Sequence, residues 1–348
     1  MDKDFDYETV VIGAGTGGLS AGCILKNQKR DYVILDKKEE IGLPVRSTGA
    51  VSLEWVKKIG MPTAKEIVAS NIYNMSFRTE KGKRIDLNFD HPVGMVYDFT
   101  KYEKYLSSGF AGKLNIKMKT TVSEVKGNQI KTNDGILTAK NVIMAAGPQS
   151  NLGSKLTKTQ ALVAYEETRE LDERKDFQMI LWFSDLAPGG YFWDFADSKN
   201  TRKIGVCYYP LSGEAPKSVL KKFTEKFPEL DGEIVHTMAH QIPLTKPSDQ
   251  VVRENQLWVG DMVNAVLNTT AGGLQGAFWS GKEAAIATVN NDLEQYQKVW
   301  DNQIKPWLMK HNQLHSRIHA RGERSVGTYI TLAKLMPKKI KMRVFGGL

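Results

Sequence analysis

The 348-residue sequence predicts an α/β fold: a parallel-sheet domain, an inserted mostly antiparallel β lobe, and C-terminal helices. Three observations predict it. A β-branched run, Thr9 to Ile12, passes through a glycine cluster into a helical stretch, Leu19 to Asn27, and then a second apolar run, Tyr32 to Leu35. Short apolar runs of this kind are the mark of strands buried on both faces, as in a βαβ unit. The middle of the chain, Leu162 to Val206, is aromatic-rich and strand-like, with a turn at Pro188-Gly189-Gly190. Beyond about residue 291 the pattern is helical.

The remaining elements follow in order. Asn71 to Phe89 reads as a hairpin turning at Lys81-Gly82, and Tyr102 to Leu106 as helix. Asn141 to Met144 is a strand entering the turn Ala145-Ala146-Gly147-Pro148. Lys217 to Phe227 is an amphipathic helix closed by Pro228, and Leu257 to Val259 is a strand. The length suits two domains. The expected division is a discontinuous nucleotide domain (1–70, 96–160, 250–290), a lobe (71–95, 161–249) and a C-terminal basic helical region (291–348).

Composition narrows the class. With 41% apolar and 25% charged residues the chain is a folded globular protein. Two cysteines, Cys23 and Cys207, exclude a disulfide framework and suit a reducing cytoplasm; Cys23 reads as core. The acidic N-terminus is not a secretory signal. Leu257 to Gly281 carries a single charge, Asp261, but its Asn, Thr, Gln and Gly residues argue against a membrane span. The last 48 residues hold ten Lys/Arg and two acids, +8 of the net +9. A basic tail on a neutral body points to an anionic partner.

Val11 to Leu19 contains Gly13-Ala14-Gly15-Thr16-Gly17-Gly18, a G-x-G-x-x-G that follows a strand and opens a helix. That context is the one a dinucleotide site requires. Gly13 permits the turn, Gly15 lets backbone approach a pyrophosphate, and Gly18 lets helix and sheet pack closely. The free N–H groups beyond Ala14, from Thr16 on, face the phosphates. Asp36, 18 residues past Gly18 and followed by Lys37, ends the second strand where a carboxylate can accept from ribose hydroxyls. Three later segments favour FAD over NAD. Val142 to Gly147 is a third contact strand, and Asp261 follows a strand and can bind a ribitol chain. Ala271-Gly272-Gly273-Leu274 opens a helix whose N-terminus can stabilise a negative reduced flavin.

This order resembles the flavoprotein superfamily of aromatic hydroxylases and geranylgeranyl reductases. Within it, Pro188-Gly189-Gly190-Tyr191-Phe192-Trp193-Asp194-Phe195 is similar to the P-x-x-Y-x-W-x-F-P motif of the geranylgeranyl reductases. The resemblance implies a Rossmann-like FAD-binding domain and flavin contacts at Arg46, Ser47, Thr48 and Ala50, with Val122 near the adenine and Asp261, Gly273 and Leu274 completing the set. The chain departs from the pattern at four points. Ser47 stands where cysteine is frequent, Phe99 where arginine is expected, and Ala196 where the motif ends in proline. The loop Asn264 to Ala271 lacks a proline.

Tyr191, Trp193 and Phe195 alternate and share one strand face, either packed core or the wall of a pocket for a greasy chain. His311, His315 and His319 share one helix face, read as solvated and weakly basic rather than metal-binding. His236 and His240 are treated with the same caution. The tail 328–348 mixes apolar and basic residues and reads either as a docked helical edge or as a contact with anionic lipid; nucleic acid is not expected. The resemblance implies an FAD-dependent reductase that saturates isoprenoid double bonds of a lipid, with an electron donor, NAD(P)H or a redox protein, that the sequence does not select. No catalytic proton donor is assigned. The location expected is cytoplasmic, with peripheral contact at the cytoplasmic membrane face as the further reading. A flavin-dependent monooxygenase on an aromatic or lipid substrate and a non-redox flavin or prenyl-lipid binder are the alternatives.

Overall fold

A computed structural model describes residues 4–148, 150–153, 156–171, 178–198 and 200–337. β1 (Tyr7–Ile12), α1 (Thr16–Asn27) and β2 (Tyr32–Leu35) form the first βαβ unit. Next come β3 (Ala50–Ser52), α2 (Leu53–Ile59), β4 (Val68–Ile72), β5 (Asn74–Thr79), β6 (Arg84–Asn88), β7 (Gly94–Tyr97) and α3 (Phe99–Ser108). β8 (Ile116–Lys117), β9 (Val122–Lys126), β10 (Gln129–Thr132) and β11 (Gly135–Met144) lead to the lobe strands. These are β12 (Ala161–Glu170), β13 (Met179–Phe183), β14 (Tyr191–Ala196), β15 (Thr201–Tyr208) and, after α4 (Pro216–Thr224), β16 (Glu233–Pro243). The chain closes with β17 (Val252–Arg253), β18 (Gln256–Trp258), α5 (Leu274–Val289), α6 (Leu293–Val299), α7 (Lys305–Ile318) and α8 (Glu323–Leu335).

Three sheets result. The first has the order β17-β18-β11-β1-β2-β8, with the β9–β10 hairpin continuing from β11. Its central pairs, β18–β11, β11–β1, β1–β2 and β2–β8, are parallel. Val10, Val11, Ile34, Val142 and Ile143 are fully buried there, as strands covered on both faces must be. α1 and α5 pack side by side. A Cβ on Gly281 would lie 2.0 Å from the Gly17 carbonyl oxygen, so glycine sets how closely the two helices meet. The second sheet runs β16-β12-β15-β14-β13-β5-β6 and is antiparallel except for β13–β5. The third, β3-β7-β4, is small and antiparallel. β7 crosses residue 95, where the sequence suggested a boundary.

The hairpin expected over 71–89 is β5–β6, turning through Gly82 at φ +88°. β16 and the small sheet were not foreseen. The first half of β16 is exposed and shows no apolar alternation; pairing with β12 along ten residues makes it a strand. Leu257 to Gly281 is strand, a one-turn 3₁₀ helix and α5, and among the described residues no helix is long and apolar enough to cross a membrane. Of the basic tail, residues 338–348 lie outside the described residues; α8 docks through Val326, Ile330 and Ala333, each at most 5% exposed.

Candidate active site

The three glycines of the turn do different work. Gly13 has φ +108°, and a Cβ there would sit 2.3 Å from the Ala145 carbonyl oxygen. Glycine is therefore required both by conformation and by the close approach of the β11 turn. A Cβ on Gly18 would lie 1.8 Å from the Gly13 oxygen, so the first helical turn can fold back on the loop only without one. Gly15 is different: its φ is −90°, which any residue adopts, and a Cβ would meet only Glu103 Oε1 at 3.9 Å. The space over Gly15 is open, facing a cavity of about 500 Å³. α1 starts beside it at Thr16 with no side-chain cap, leaving N–H groups for an anion.

Asp36, 7% exposed, holds this turn from β2. Its Oδ2 accepts the Ala14 N–H at 2.5 Å and its Oδ1 the Lys38 N–H at 2.8 Å. The expected ribose acceptor thus also clamps the glycine turn. Lys37 and Val122 line the same end of the cavity. Lys38, not singled out from the sequence, donates to the Ala14 oxygen at 3.0 Å and pairs with Glu103 at 3.3 Å. Burial pushes the Glu103 carboxyl above its usual range, and the lysine opposes that shift.

The far end of the cavity is built from three loops. Gly147, φ +77°, lets the chain leave β11 beneath it. Asp261 stands in a 3₁₀ turn, Gly260–Val263, beside Gly273, where a Cβ would come 3.1 Å from its Oδ1. Gly273 precedes α5, which begins at Leu274 with no side-chain cap. Arg46, Ser47, Thr48 and Ala50 form the opposite edge. Gly49 has φ +89°, and a Cβ would meet the Tyr97 oxygen at 2.5 Å, so this loop lies flat against β7. The Ser47 hydroxyl accepts the Gly49 N–H at 3.1 Å, inside its own loop.

Tyr191, Trp193 and Phe195 project from β14 into the same cavity and are 7%, 5% and 5% exposed. The residues belong to the lobe's core and also line the cavity. Tyr191 donates to the Thr270 oxygen, tying the wall to the loop before α5. The Trp193 indole lies over Gly205, where a Cβ would be 2.2 Å from the ring. Its Nε1–H donates to Glu166 Oε2 at 2.8 Å. Ile72, Met75, Met179, Ile242 and Val266 make the rest of this end apolar.

Sequence reasoning missed Glu166, Lys203 and the place of His240. Glu166 is 2% exposed and bonds Thr48 Oγ1 at 2.6 Å. Lys203 Nζ donates to the Thr48 oxygen at 3.0 Å and pairs with Asp197 at 3.0 Å. A signal existed: in β12, Leu162 and Ala164 alternate inward, and Glu166 is next on that face. His240 lines the cavity 3.8 Å from Asp261, with Nδ1 buried and without a hydrogen-bond partner. The histidines of α7 require a correction. They are not a solvated face: His311 Nδ1 meets Thr269 Oγ1 at 2.7 Å, and His315 Nε2 meets the Gly189 oxygen at 2.8 Å. Burial lowers all three, His311 to about 4 and His319 to about 3. Helical spacing put them on one face but could not say that the face docks on the loop before α5 and on the turn before β14. Among the described residues no cluster of three or more His, Cys, Asp or Glu could hold a metal.

The residues fit FAD. A glycine cradle open only at Gly15 suits a pyrophosphate, the cavity continues past Asp261 and two uncapped helix starts, and Gln275 Nε2 is buried there without a partner. The pyridine nucleotide-disulphide oxidoreductase family profile matches residues 10–173. A digeranylgeranylglycerophospholipid reductase 2 of Methanosphaera stadtmanae is 23% identical, covering 88% of this chain and 86% of that protein. A digeranylgeranylglycerophospholipid reductase of Methanococcus aeolicus is 26% identical, covering 88% and 85%. Among solved structures, a geranylgeranyl bacteriochlorophyll reductase-like protein from Thermoplasma acidophilum superposes with a TM-score of 0.84 at 20% identity, over 95% of this chain and 92% of that one. A probable FAD-dependent monooxygenase from Pseudomonas aeruginosa superposes with a TM-score of 0.69 at 13% identity, over 93% and 99%.

Proposed function

We propose that this chain, an FAD-dependent oxidoreductase similar in sequence and fold to geranylgeranyl reductases, saturates double bonds in the isoprenoid chains of a lipid. One observation carries the reading. The cavity that begins at the Gly13–Gly18 turn continues without interruption to an apolar wall of Tyr191, Trp193 and Phe195. A polar substrate would find few partners on that wall. An isoprenoid would gain roughly 0.8 kcal/mol for each CH₂-sized group buried. The relatives named as digeranylgeranylglycerophospholipid reductases support the same substrate class.

FAD bound here would, once reduced, supply the hydride. The protein's residues position and exclude. The Gly15 backbone and the start of α1 hold the pyrophosphate, Asp36 the adenosine ribose, and Asp261 the ribitol chain. Loop 46–50 and the start of α5 bracket the ring system. The β14 wall seals the reaction from water and sets the depth of the chain. On this reading the parallel sheet and its loops form the cofactor domain and the second sheet the substrate lobe. Electrons reach the flavin from a nicotinamide nucleotide or a redox protein. The lipid is presented at a membrane surface, where α8 contributes exposed Leu332 and Leu335, which precede the basic tail in sequence.

The test is anaerobic single turnover. Dithionite-reduced holoprotein is mixed with a geranylgeranyl lipid, and flavin reoxidation and saturated product are followed together. Reoxidation with one double bond lost per flavin is expected. A flavin that stays reduced with every prenyl lipid, yet consumes oxygen with an aromatic substrate, defeats the reading in favour of a monooxygenase.

A further inference from the structure

We propose that Glu166 is the proton reserve for this reduction, passing its proton into the cavity through the Thr48 hydroxyl. The inference rests on the prenyl-reductase reading above. Saturating a double bond requires a proton as well as a hydride, and the position where the family resemblance leads one to expect a thiol holds Ser47, whose hydroxyl is engaged within its own loop.

The geometry singles out one acid. Glu166 lies on the inward row of β12, after Leu162 and the cavity-lining Ala164, and is 2% exposed. Its Oε2 is 2.6 Å from Thr48 Oγ1, in the loop at the cofactor edge, and 2.8 Å from Trp193 Nε1, in the substrate wall. A single buried carboxyl therefore joins both halves of the site, and its two partners, Thr48 and Trp193, line the cavity. The arrangement is held on purpose-built backbone: Gly205 is the cross-strand partner of both Glu166 and Trp193, and any larger residue would displace the indole.

The charges around Glu166 suit a proton held until needed. Burial, the largest influence, raises its pKa and favours the neutral acid; Lys203 from β15 and the hydrogen bonds from Thr48 and Trp193 lower it, and Asp197, after β14, raises it. Lys203 is itself engaged by Asp197 and the Thr48 carbonyl, so its charge is partly spent. Of the other groups facing the cavity, Glu103, also raised by burial, sits beside Gly15 and pairs with Lys38, away from the β14 wall. Burial pushes the Cys207 thiol up to about 12 and the Tyr191 phenol well above its usual range.

The step balances as follows. Hydride from the reduced cofactor adds to one alkene carbon with both electrons. With Glu166 protonated, its bond to Thr48, in which the hydroxyl donates to the carboxylate, reverses and frees the hydroxyl proton for the cavity; the other carbon takes that proton as Thr48 takes that of Glu166. Alkane and oxidised cofactor result, and the Glu166 carboxylate, beside Lys203, regains a proton from water. Glu166 acts through Thr48 and is a positioning residue in that sense.

Glu166→Gln keeps the size and an acceptor for the Trp193 N–H but has no proton to give. Thr48→Val removes the hydroxyl, and Thr48→Ser keeps it. Each holoprotein is checked for FAD content and melting temperature, then followed in single turnover from neutral to alkaline pH. In wild type and Thr48→Ser the rate should fall as pH rises through the raised Glu166 pKa. Glu166→Gln and Thr48→Val should be at least about a hundredfold slower, the lower end of general-acid contributions, and insensitive to pH. If Glu166→Gln fails to fold, the Thr48 pair decides. Infrared spectra of resting holoprotein give a readout independent of turnover: a protonated-carboxyl band at neutral pH, absent in Glu166→Gln. A Glu166 ionised at neutral pH, or a flavin-loaded Glu166→Gln with the wild-type rate and pH profile, overturns the inference alone. A wild type that leaves every prenyl lipid unreduced overturns the prenyl reading and the inference with it.

Discussion

Replacing Gly15 with alanine should separate cofactor binding from folding. The residue has φ −90°, and the added methyl would meet nothing closer than Glu103 Oε1 at 3.9 Å. The protein without cofactor should therefore melt at the wild-type temperature. With FAD present, that methyl occupies the space through which backbone N–H groups approach the pyrophosphate. A hydrogen bond to a charged group contributes about 1.5–3 kcal/mol. Losing one weakens FAD roughly tenfold to a hundredfold. Gly13→Ala is the control for the opposite case. It combines φ +108° with a contact of 2.3 Å, and such strain and overpacking cost about 1–3 kcal/mol each. It should lower the melting temperature even without cofactor. Titration of each apoprotein with FAD, read by flavin fluorescence, alongside apoprotein melting, makes the comparison. A Gly15→Ala that binds FAD with wild-type affinity would refute the placement of the pyrophosphate over Gly15.

Asp261→Ala should weaken FAD by roughly tenfold to a hundredfold with little loss of apoprotein stability, because Asp261 is only partly buried; an unchanged dissociation constant removes it from the ribitol site. Trp193→Ala should slow prenyl turnover by on the order of a hundredfold through misplacement of the alkene, and also cost about 3–5 kcal/mol of stability. A folded, flavin-loaded Trp193→Ala with the wild-type rate would reduce the residue to core. Stability should fall on acidification between pH 6.5 and about 4, because His311 stays neutral in the fold down to about 4 while the unfolded chain takes up its proton near 6.5. That contribution is on the order of 3 kcal/mol. It is absent above pH 6.5, and a His311→Asn variant should lose it in acid melting curves. Leu332 and Leu335, which precede the basic tail in sequence, are 52% and 80% exposed. Exchanging both for glutamine should reduce sedimentation with anionic vesicles but not with neutral ones; equal binding to both kinds would argue against a lipid-facing role.

The cofactor half of this protein is written locally. Strand, glycine turn, helix and carboxylate follow one another within 30 residues, from Tyr7 to Asp36, so their spacing determines their geometry before any tertiary contact forms. The same holds for the turn at Gly147, where a φ of +77° is readable in the residue type. The alternation of Tyr191, Trp193 and Phe195 likewise determined that they share a face. What local pattern could not decide was what any face would meet. Glu166 reads as one more polar residue beside Glu167; burial against Thr48 and Trp193, 118 and 27 positions away, makes it a proton carrier in our proposal. His311, His315 and His319 have the spacing of a wet helical stripe, yet α7 docks them on Thr269 and Gly189, 42 and 126 positions away. Gly205 carries no turn and no motif; only the cross-strand register places it beneath the indole. The physical reason is the same in each case. Backbone conformation is imposed by neighbours in sequence, whereas desolvation and pairing, which set the chemistry of an acid or an imidazole, are imposed by whichever distant segment packs against it.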